Sequence, residues 1–184
     1  MVRYWCRVVL VLSLGGAGRV TAQQPVRPHV AVPAIAPRPE DVATVDGILR
    51  AFYDVISGPA GQPRQWARDR TLYIHDVHFV SLATDTAGHI RADVMDHQTF
   101  VDRADPGVVR RGFFETEVHR TTERFGNVVH VFSTYEMRER ADGPVFGRGI
   151  NSIELYWDGA RWWISGAEWD DERPDNPIPK EYLP

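Results

Sequence analysis

The sequence predicts an α+β fold, and the change in its hydrophobic pattern is the main reason. Before Gly112 the apolar residues recur at helical spacing, whereas after it the side chains alternate with a period of two. The alternating region is divided by Gly-, Asn- and Asp-containing turns of the kind that close hairpins. Helices followed by an antiparallel meander indicate α+β rather than a doubly wound parallel sheet. A chain of 184 residues with 43% hydrophobic side chains is long enough to bury one core.

The first 22 residues have the pattern of a secretory signal peptide. Arg3 and Arg7 precede an apolar run over residues 8–14, and Val20-Thr21-Ala22 supplies the small residues that precede a cleavage site. The run is shorter than the roughly 20 apolar residues of a membrane-spanning helix. We therefore expect cleavage after residue 22, a secreted or periplasmic protein, and no stable membrane insertion of the mature chain. An uncleaved anchor, favoured by Arg19, is the alternative.

The rest of the chain divides into three segments. Residues 23–38 contain four prolines and no periodic apolar face, which is typical of an extended linker. The domain is predicted over residues 39–172, and residues 173–184 form a second proline-rich segment that we expect to lie on the surface. The only cysteine is Cys6, inside the predicted signal peptide, so no internal disulfide framework is expected.

The domain opens with a predicted helix over residues 39–56. Proline and acids in its first turn suit a helix N-terminus, and Gly58-Pro59 ends it. A short second helix is predicted over residues 64–70, with Trp66 as its apolar anchor, and two short strands over residues 71–74 and 79–84. The third helix is expected to be capped by Asp93 and broken at Asp105-Pro106-Gly107.

Four long strands are predicted to follow. Their ranges are residues 113–124, 128–140, 146–157 and 161–172. The connections contain Gly126-Asn127, Asp142-Gly143-Pro144 and Asp158-Gly159, all of which favour hairpins.

This order of elements resembles the nuclear transport factor 2-like superfamily, specifically its SnoaL-like branch. The stretch over residues 147–164, with its Asp-Gly turn and Trp-x-Ile strand, is similar to the hairpin that closes that fold. His119-Arg120 and Phe132–Glu136, with Pro177-Ile-Pro, are similar to exported bacterial members of unknown function. The resemblance implies a cone-shaped domain whose curved, mostly antiparallel sheet wraps the first helix around a cavity. It implies no single chemistry, because dehydratases, isomerases, cyclases, ligand carriers and dimerisation modules share the fold.

Alternation across the Asp158-Gly159 turn predicts which side chains of the last hairpin share a face. One face holds Asn151, Ile153, Leu155, Trp157, Trp162, Ile164, Gly166 and Glu168. By the resemblance this face points into the cone. We therefore expect a ligand-binding pocket at which this face meets the first helix. The residues predicted to bind the ligand are Asn151, Leu155, Trp162, Ile164, Phe52 and Tyr53.

The first long strand carries acids on one face, at Glu115 and Glu117, followed by His119. Alternating acids usually mark a solvated face, and this is the interpretation we favour. If that face points inward instead, Glu117 and His119 form an acid–base group with Tyr135, and these three are the first candidates for catalytic residues.

Histidines elsewhere give no metal-ligand pattern. His75 and His78 lie three apart, so on a strand they point to opposite faces and do not share an ion. His78 is therefore kept only as a further catalytic candidate, without a metal. His89 and His97 lie in polar sequence and are expected to be exposed. Neither a metal nor another cofactor is expected.

Three functions are compatible with these residues. The one we rank first, by a small margin, is an exported protein that binds a small hydrophobic or aromatic molecule in an apolar aromatic cavity. The second is a cofactor-free acid–base enzyme of the dehydratase, isomerase or cyclase type. The third is a dimerisation or interaction module. A net charge of -4 and a pI near 6.0 give no basic surface for nucleic acid. Titratable groups in contact inside the cavity would favour the enzyme.

A homodimer is also expected, because the opposite face of the last hairpin is strongly aromatic. Ile150, Tyr156, Trp163 and Trp169 are predicted to share it. Soluble monomers rarely leave such an apolar patch exposed, and Trp and Tyr often anchor interfaces. The alternative is that the segment over residues 173–184 folds back and covers the patch within one chain.

We predict that the mature protein begins at Gln23. Mass spectrometry of the protein taken from the native cell envelope tests this. A mass that lacks residues 1–22 is expected, and a mass that retains Met1 through Ala22 would contradict cleavage.

Overall fold

The computed structural model describes residues 29–184, and the predicted signal peptide lies outside the described residues. Its elements, in chain order, are the helices and strands α1 (Pro39–Val42), α2 (Val45–Ile56), α3 (Trp66–Arg70), β1 (Tyr73–Thr84), β2 (Ile90–Met95), α4 (His97–Arg111), β3 (Phe114–Phe125), β4 (Val128–Arg138), β5 (Gly147–Trp157) and β6 (Trp162–Asp171), with a final 3-10 turn at Lys180–Tyr182. The α+β prediction is confirmed. Within the described part of the chain, no helix has the length and apolar character needed to cross a membrane.

All six strands form one sheet in the order β2-β1-β6-β5-β4-β3. Every neighbouring pair is antiparallel except β1 and β6. The first and the last strand of the chain are neighbours in the sheet and run parallel to each other. The amphipathic helix α2 packs its apolar side on one face of this sheet. The core between them consists mainly of fully buried aliphatic side chains: Ile48, Leu49, Val55, Val129, Val131, Ile153, Leu155 and Ile164. The four long strands predicted from the alternating pattern are confirmed.

The first helix is interrupted, which the periodicity does not reveal. Thr44 has an extended backbone, and its hydroxyl accepts a hydrogen bond from Gly47 N at 2.9 Å, so it caps a new helix. The short α1 before it is fixed by an ion pair, because Arg68 of α3 donates to both carboxylate oxygens of Asp41 at 2.7 Å. The Arg68 guanidinium lowers the pKa of Asp41. The single helix predicted over residues 39–56 was therefore wrong in its continuity.

The third predicted helix has different ends from those expected. Asp96 caps α4 by accepting from Thr99 N at 2.7 Å, whereas Asp93 lies in β2. The helix also continues through Pro106 to Arg111, although proline removes one backbone hydrogen bond. Its final turn is secured from outside, since Arg64 donates to the Val108 carbonyl and Gly61 N donates to the Val109 carbonyl.

The two short strands predicted before this helix are one strand, β1. Its pairing with β6 is irregular between Tyr73 and His78, and regular pairing resumes from His78 onward. Strand β2, which pairs with the second half of β1, completes a small hairpin.

A bulge in β6 reverses the predicted alternation of the last hairpin. Leu155 pairs with Ile164, but the next pair is Glu154 with Gly166, so Ser165 is an extra residue. Beyond the bulge Ala167 is buried and Glu168 is exposed. The prediction that Gly166 and Glu168 face inward was wrong, and so was the outward position given to Trp169.

A second bulge, at Val118, reverses the predicted alternation of β3, the strand that carries Glu115 and Glu117. Glu117 pairs with Tyr135, and the next pair is His119 with Thr134. His119 therefore lies on the outer face, whereas Glu115 and Glu117 lie on the concave face and are half-buried. The favoured interpretation of the two acids as solvated residues was wrong.

The C-terminal segment crosses the outer face of the sheet. The Tyr182 ring packs edge-to-face on Phe132 with centroids 5.1 Å apart, and the Thr134 hydroxyl donates to the Tyr182 carbonyl at 2.6 Å. Ile178 is 9% exposed. This contact covers the β4 part of the outer face. Ile150, Tyr156 and Trp163 are half-exposed on the same face, so a homodimer through them stays a prediction.

We predict that the mature protein is a dimer both with and without residues 173–184. The three half-exposed side chains on β5 and β6 remain available in either form. Light scattering at micromolar concentration measures the mass of each form. A full-length monomer that associates only after the segment is removed would show that the segment is the cover and would contradict the dimer.

Candidate active site

A cavity of about 220 Å³ lies between α2, α4 and the concave face of the sheet. Aromatic rings form most of its wall, and polar groups enter it from β3, β4, β5, β6 and α3. The lining residues are Phe52, Ile56, Asp69, Tyr73, Phe79, Phe100, Ala104, Val108, Phe113, Glu115, Tyr135, Met137, Asn151, Trp169 and Asp171. The volume is below the roughly 300 Å³ at which pockets for drug-sized ligands begin, so the cavity suits a small molecule.

Glu115 is a carboxyl group whose environment differs strongly from water. Burial, opposed by the Asn151 hydrogen bond and assisted by the negative charge of Asp171, raises the pKa of its carboxyl from 4.5 to about 7. The Asn151 amide donates to Glu115 Oε1 at 3.1 Å. A carboxyl group with a pKa near neutrality, held in one orientation, is suited to accept and return a proton.

Asn151 connects this carboxyl group to a second set of polar side chains behind it. Its amide also donates to the Tyr53 hydroxyl at 3.2 Å, and the Tyr53 and Ser133 hydroxyls are 2.6 Å apart. Ser133 gives its only hydrogen to Glu117 Oε2 at 2.6 Å, so Tyr53 is the donor to Ser133. Each donor in this series therefore has an acceptor, and the orientation of the amide toward Glu115 is determined by it.

Tyr135 on β4 lines the cavity and contacts a residue on β6, two strands away. Its hydroxyl donates to Asp171 Oδ1 at 2.6 Å, and burial together with that carboxylate raises the pKa of the phenol. Gly149 lies between them in the sheet, paired with Tyr135 on one side and with Asp171 on the other. A Cβ at Gly149 would overlap the tyrosine hydroxyl, so glycine is required here for the close approach. Tyr135 stays protonated at neutral pH.

The third set of polar side chains is centred on Asp69, at the opposite wall of the cavity. Asp69 Oδ1 accepts from the Tyr73 hydroxyl at 3.0 Å, and its Oδ2 lies 2.8 Å from Nε2 of His97. Asp69, Tyr73 and His97 are all at least 95% buried. Burial and the Asp69 carboxylate raise the pKa of Tyr73. Both carboxylate oxygens of Asp69 are thus occupied by protein partners.

Glu115 also borders a larger groove of about 590 Å³ between α2 and β3. That groove is open and is lined by charged side chains, including Asp46, Arg50 and Arg120. Arg120 bridges Glu117 Oε1 at 3.2 Å and Asp46 at 2.7 Å. The groove connects the Glu115 side of the cavity with solvent, whereas the smaller cavity has the more apolar, aromatic wall. We place the candidate active site in the cavity.

The structure brings some of the predicted site residues to this cavity and leaves others elsewhere. Phe52, Asn151 and the catalytic candidate Tyr135 line it. Tyr53 contacts it only through Asn151. Leu155 and Ile164 are fully buried in the core and do not line it, and Trp162 borders a separate groove near Ala43 and Arg124. The pocket predicted to combine Asn151 and Trp162 is therefore two separate sites.

The other catalytic candidates are dispersed. Glu117 is on the groove side, bonded to Ser133 and Arg120. The Val118 bulge turns His119 to the outer face, so it does not join Glu117 and Tyr135. His78 is exposed on β1. The His75–His78 stretch brings no metal ligands together, and residues 29–184 contain no group of three or more His, Cys, Asp or Glu side chains placed to hold a metal ion.

Several functional residues were missed by sequence reasoning. His97 was expected to be exposed, but it is 5% exposed and paired with Asp69. Its position in the first turn of α4, on the side that carries Val101, is the signal that was available. Trp169 and Asp171 were missed because only the Ser165 bulge turns them inward. Glu115 was missed because an inward acid is rare and the opposite interpretation was preferred.

Comparisons with known proteins support the fold. A protein of unknown function with a cystatin-like fold from Nostoc punctiforme matches at a TM-score of 0.52 and 7% identity, over 71% of this chain and 90% of that one. An NTF-2-like protein of unknown function from Silicibacter pomeroyi matches at 0.47 and 10% identity, over 71% and 94% of the two chains. A hexachlorocyclohexane dehydrochlorinase (LinA) type 2 matches at 0.47 and 10% identity, over 75% and 93%. The last two likenesses are too weak to support an argument.

No protein-family model and no curated protein matches the sequence. The chain shares the fold of the cystatin-like protein from Nostoc punctiforme, and the solved structures that it is similar to include proteins described as NTF-2-like, in agreement with the resemblance. At these identities the likeness concerns the fold alone, and activity has to be argued from the cavity. The SnoaL-like branch stays a prediction.

We predict that Glu115→Gln stabilises the protein at neutral and higher pH. The folded-state pKa of about 7 is above the ordinary 4.5, so ionisation favours unfolding as the pH rises between these values. The free energy of unfolding should rise on the order of 2 kcal/mol at about pH 8 and change little at about pH 4. Urea denaturation at the two pH values measures it. The same substitution at Glu123, which is exposed on the same strand, is the control, and an equal gain at both pH values would contradict the burial of Glu115 as the cause.

Proposed function

We propose that the protein is a cofactor-free acid–base enzyme that acts on a small, mostly apolar molecule bound in the central cavity. The observation that carries the proposal is Glu115, whose carboxyl has a pKa of about 7 and faces an aromatic cavity under the control of Asn151. Such a carboxyl is half ionised at neutral pH, so it accepts a proton and returns it without a large cost in either direction.

The polar groups of the cavity have different roles in this proposal. Ionised Glu115 is the base that removes a proton from the bound molecule. Tyr135 remains protonated because its pKa is raised, and its hydrogen is donated to Asp171, so its role is to hold that carboxyl group in place and to leave its oxygen as an acceptor in the cavity. The Asp69–His97 pair holds the Tyr73 hydroxyl at the far wall. Asn151 is a positioning residue, since it acts through Glu115.

The cavity favours this function over simple ligand carriage. Binding of a small apolar molecule remains part of the proposal, and Phe52, Phe79, Phe100 and Trp169 supply the wall for it. A carrier of a neutral apolar molecule gains nothing from burying an ionisable carboxyl group beside its ligand, because burial costs free energy in the charged form. Titratable groups within hydrogen-bond distance of each other, as in the Tyr135–Asp171 pair, are what an acid–base site requires.

Export and self-association are separate proposals. Export rests on the pattern of residues 1–22, and a homodimer rests on the half-exposed Ile150, Tyr156 and Trp163. Neither is needed for the chemistry of the cavity, because every group named above belongs to one chain.

Elimination of nitrobenzisoxazole tests the proposed base directly. A base removes the ring C–H proton of this small planar molecule, the C–H electron pair forms the nitrile, and the N–O bond breaks to give a coloured cyanonitrophenolate. We expect the mature protein to accelerate this reaction, with a rate that rises as the pH passes about 7 and Glu115 ionises. Glu115→Gln should reduce the rate about a hundredfold or more.

Glu123→Gln on the same strand is the matched control and should leave the rate unchanged. Tyr135→Phe removes only the hydroxyl that holds Asp171 and should reduce the rate less than Glu115→Gln does. Acceleration that survives Glu115→Gln, or a rate that does not exceed that of the buffer, would overturn the assignment of Glu115 as the base.

A further inference from the structure

The walls of the cavity carry acidic groups without basic ones. Asp69, Glu115 and Asp171 line it, and among residues 29–184 no Lys, Arg or His does. Asp69 uses both oxygens on Tyr73 and His97. The other two acids differ, since each has one oxygen that accepts a protein hydrogen bond within the described chain and a second that accepts none. Two acceptors are therefore available to a ligand.

These two acids also repel each other. The Asp171 charge is one of the causes that raise the pKa of Glu115, so the two carboxyl groups are close enough to interact. A positive charge between them would relieve the repulsion and favour ionised Glu115. A carboxylate or phosphate ligand would add a third like charge beside these two acids, which is unfavourable.

The remaining wall suits a cation with an apolar body. Phe79, Phe100 and Trp169 form a continuous aromatic surface, with the Phe79–Phe100 and Phe100–Trp169 ring centroids 4.9 and 6.0 Å apart. Aromatic faces attract both apolar groups and ammonium ions. The volume of about 220 Å³ limits the ligand to a small amine.

We propose that the cavity takes small molecules that carry a protonated amine on an apolar body, with the ammonium group between Glu115 and Asp171 and the body against the aromatic wall. This rests on the proposed function only in that both use the same cavity. It adds the substrate class, which acid–base chemistry alone does not specify.

Binding of an ammonium ion in this position is expected to be coupled to the release of a proton from Glu115. Glu115 is partly protonated near neutral pH, and an ammonium ion binds its ionised form better, so binding releases a proton and strengthens as the pH rises from about 6 to about 8. Two groups shift the pKa of Glu115 directly: Asn151 on β5 and Asp171 on β6. The neighbouring titratable groups on the other elements are the hydroxyls of Tyr53, Tyr73 and Tyr135 and the carboxyl of Glu117. The three phenols stay protonated over this range because their pKa values are raised.

Calorimetric titration with three matched probes tests the substrate class. Benzylamine, benzyl alcohol and benzoate have similar size and carry a positive, neutral and negative group. We expect benzylamine to bind about tenfold tighter than benzyl alcohol and benzoate not to bind. Titration in buffers of different ionisation enthalpy should show proton release with benzylamine alone.

Two variants locate the cation. Glu115→Gln and Asp171→Asn should each weaken the binding of benzylamine about tenfold and change the binding of benzyl alcohol by less than about twofold. Because Asp171 is exposed, its variant is expected to fold. Glu123→Gln is the control. Equal affinity for amine and alcohol, or amine affinity that survives both variants, would overturn the amine class while leaving the nitrobenzisoxazole result intact. If none of the probes binds, the amine class is overturned as well, and elimination by the same sample then decides whether the cavity is still the active site.

Discussion

The hydrogen bonds of Asn151 are the interaction on which the rest of the site depends. One amide group donates to both Glu115 and Tyr53, and it is 3% exposed, so it has no water to replace either acceptor. Through it the helix α2, the strand β3 and the centre of the sheet are held in one relative position. A buried amide in this position is costly unless every partner is present, and the series from Tyr53 through Ser133 to Glu117 supplies them.

Two bulges then determine which side chains this arrangement includes. The Val118 bulge keeps Glu115 and Glu117 on the concave face while it removes His119 from it. The Ser165 bulge turns Trp169 and Asp171 inward, so that an aromatic wall and an acid face Glu115 across the cavity. In a regular sheet these residues would lie on the opposite face. Each bulge thus determines which side chains of its strand face the cavity.

The site and the stability of the fold have opposing requirements at Glu115. A carboxyl group on the concave side of a sheet is favourable for the fold when it is protonated and unfavourable when it is ionised, and the proposed chemistry needs the ionised form. The aliphatic core between α2 and the sheet, which continues into the cavity wall at Tyr73 and Phe79, provides the compensating stability. Leu155 and Ile164, although correctly placed on the inner face, belong to this core and contribute to packing rather than to the site.

The sequence by itself determined the fold class, the four long strands and the inward position of Asn151, because these follow from local periodicity and from turns whose residues dictate their geometry. Only the tertiary structure decided the site. Both bulges are features of pairing between strands, and alternation within one strand does not contain them. Likewise, the Asp69–His97 contact joins residues 28 apart, and the Tyr135–Asp171 contact spans three strands across Gly149. These contacts depend on the curvature and register of the whole sheet, which no short stretch of sequence specifies.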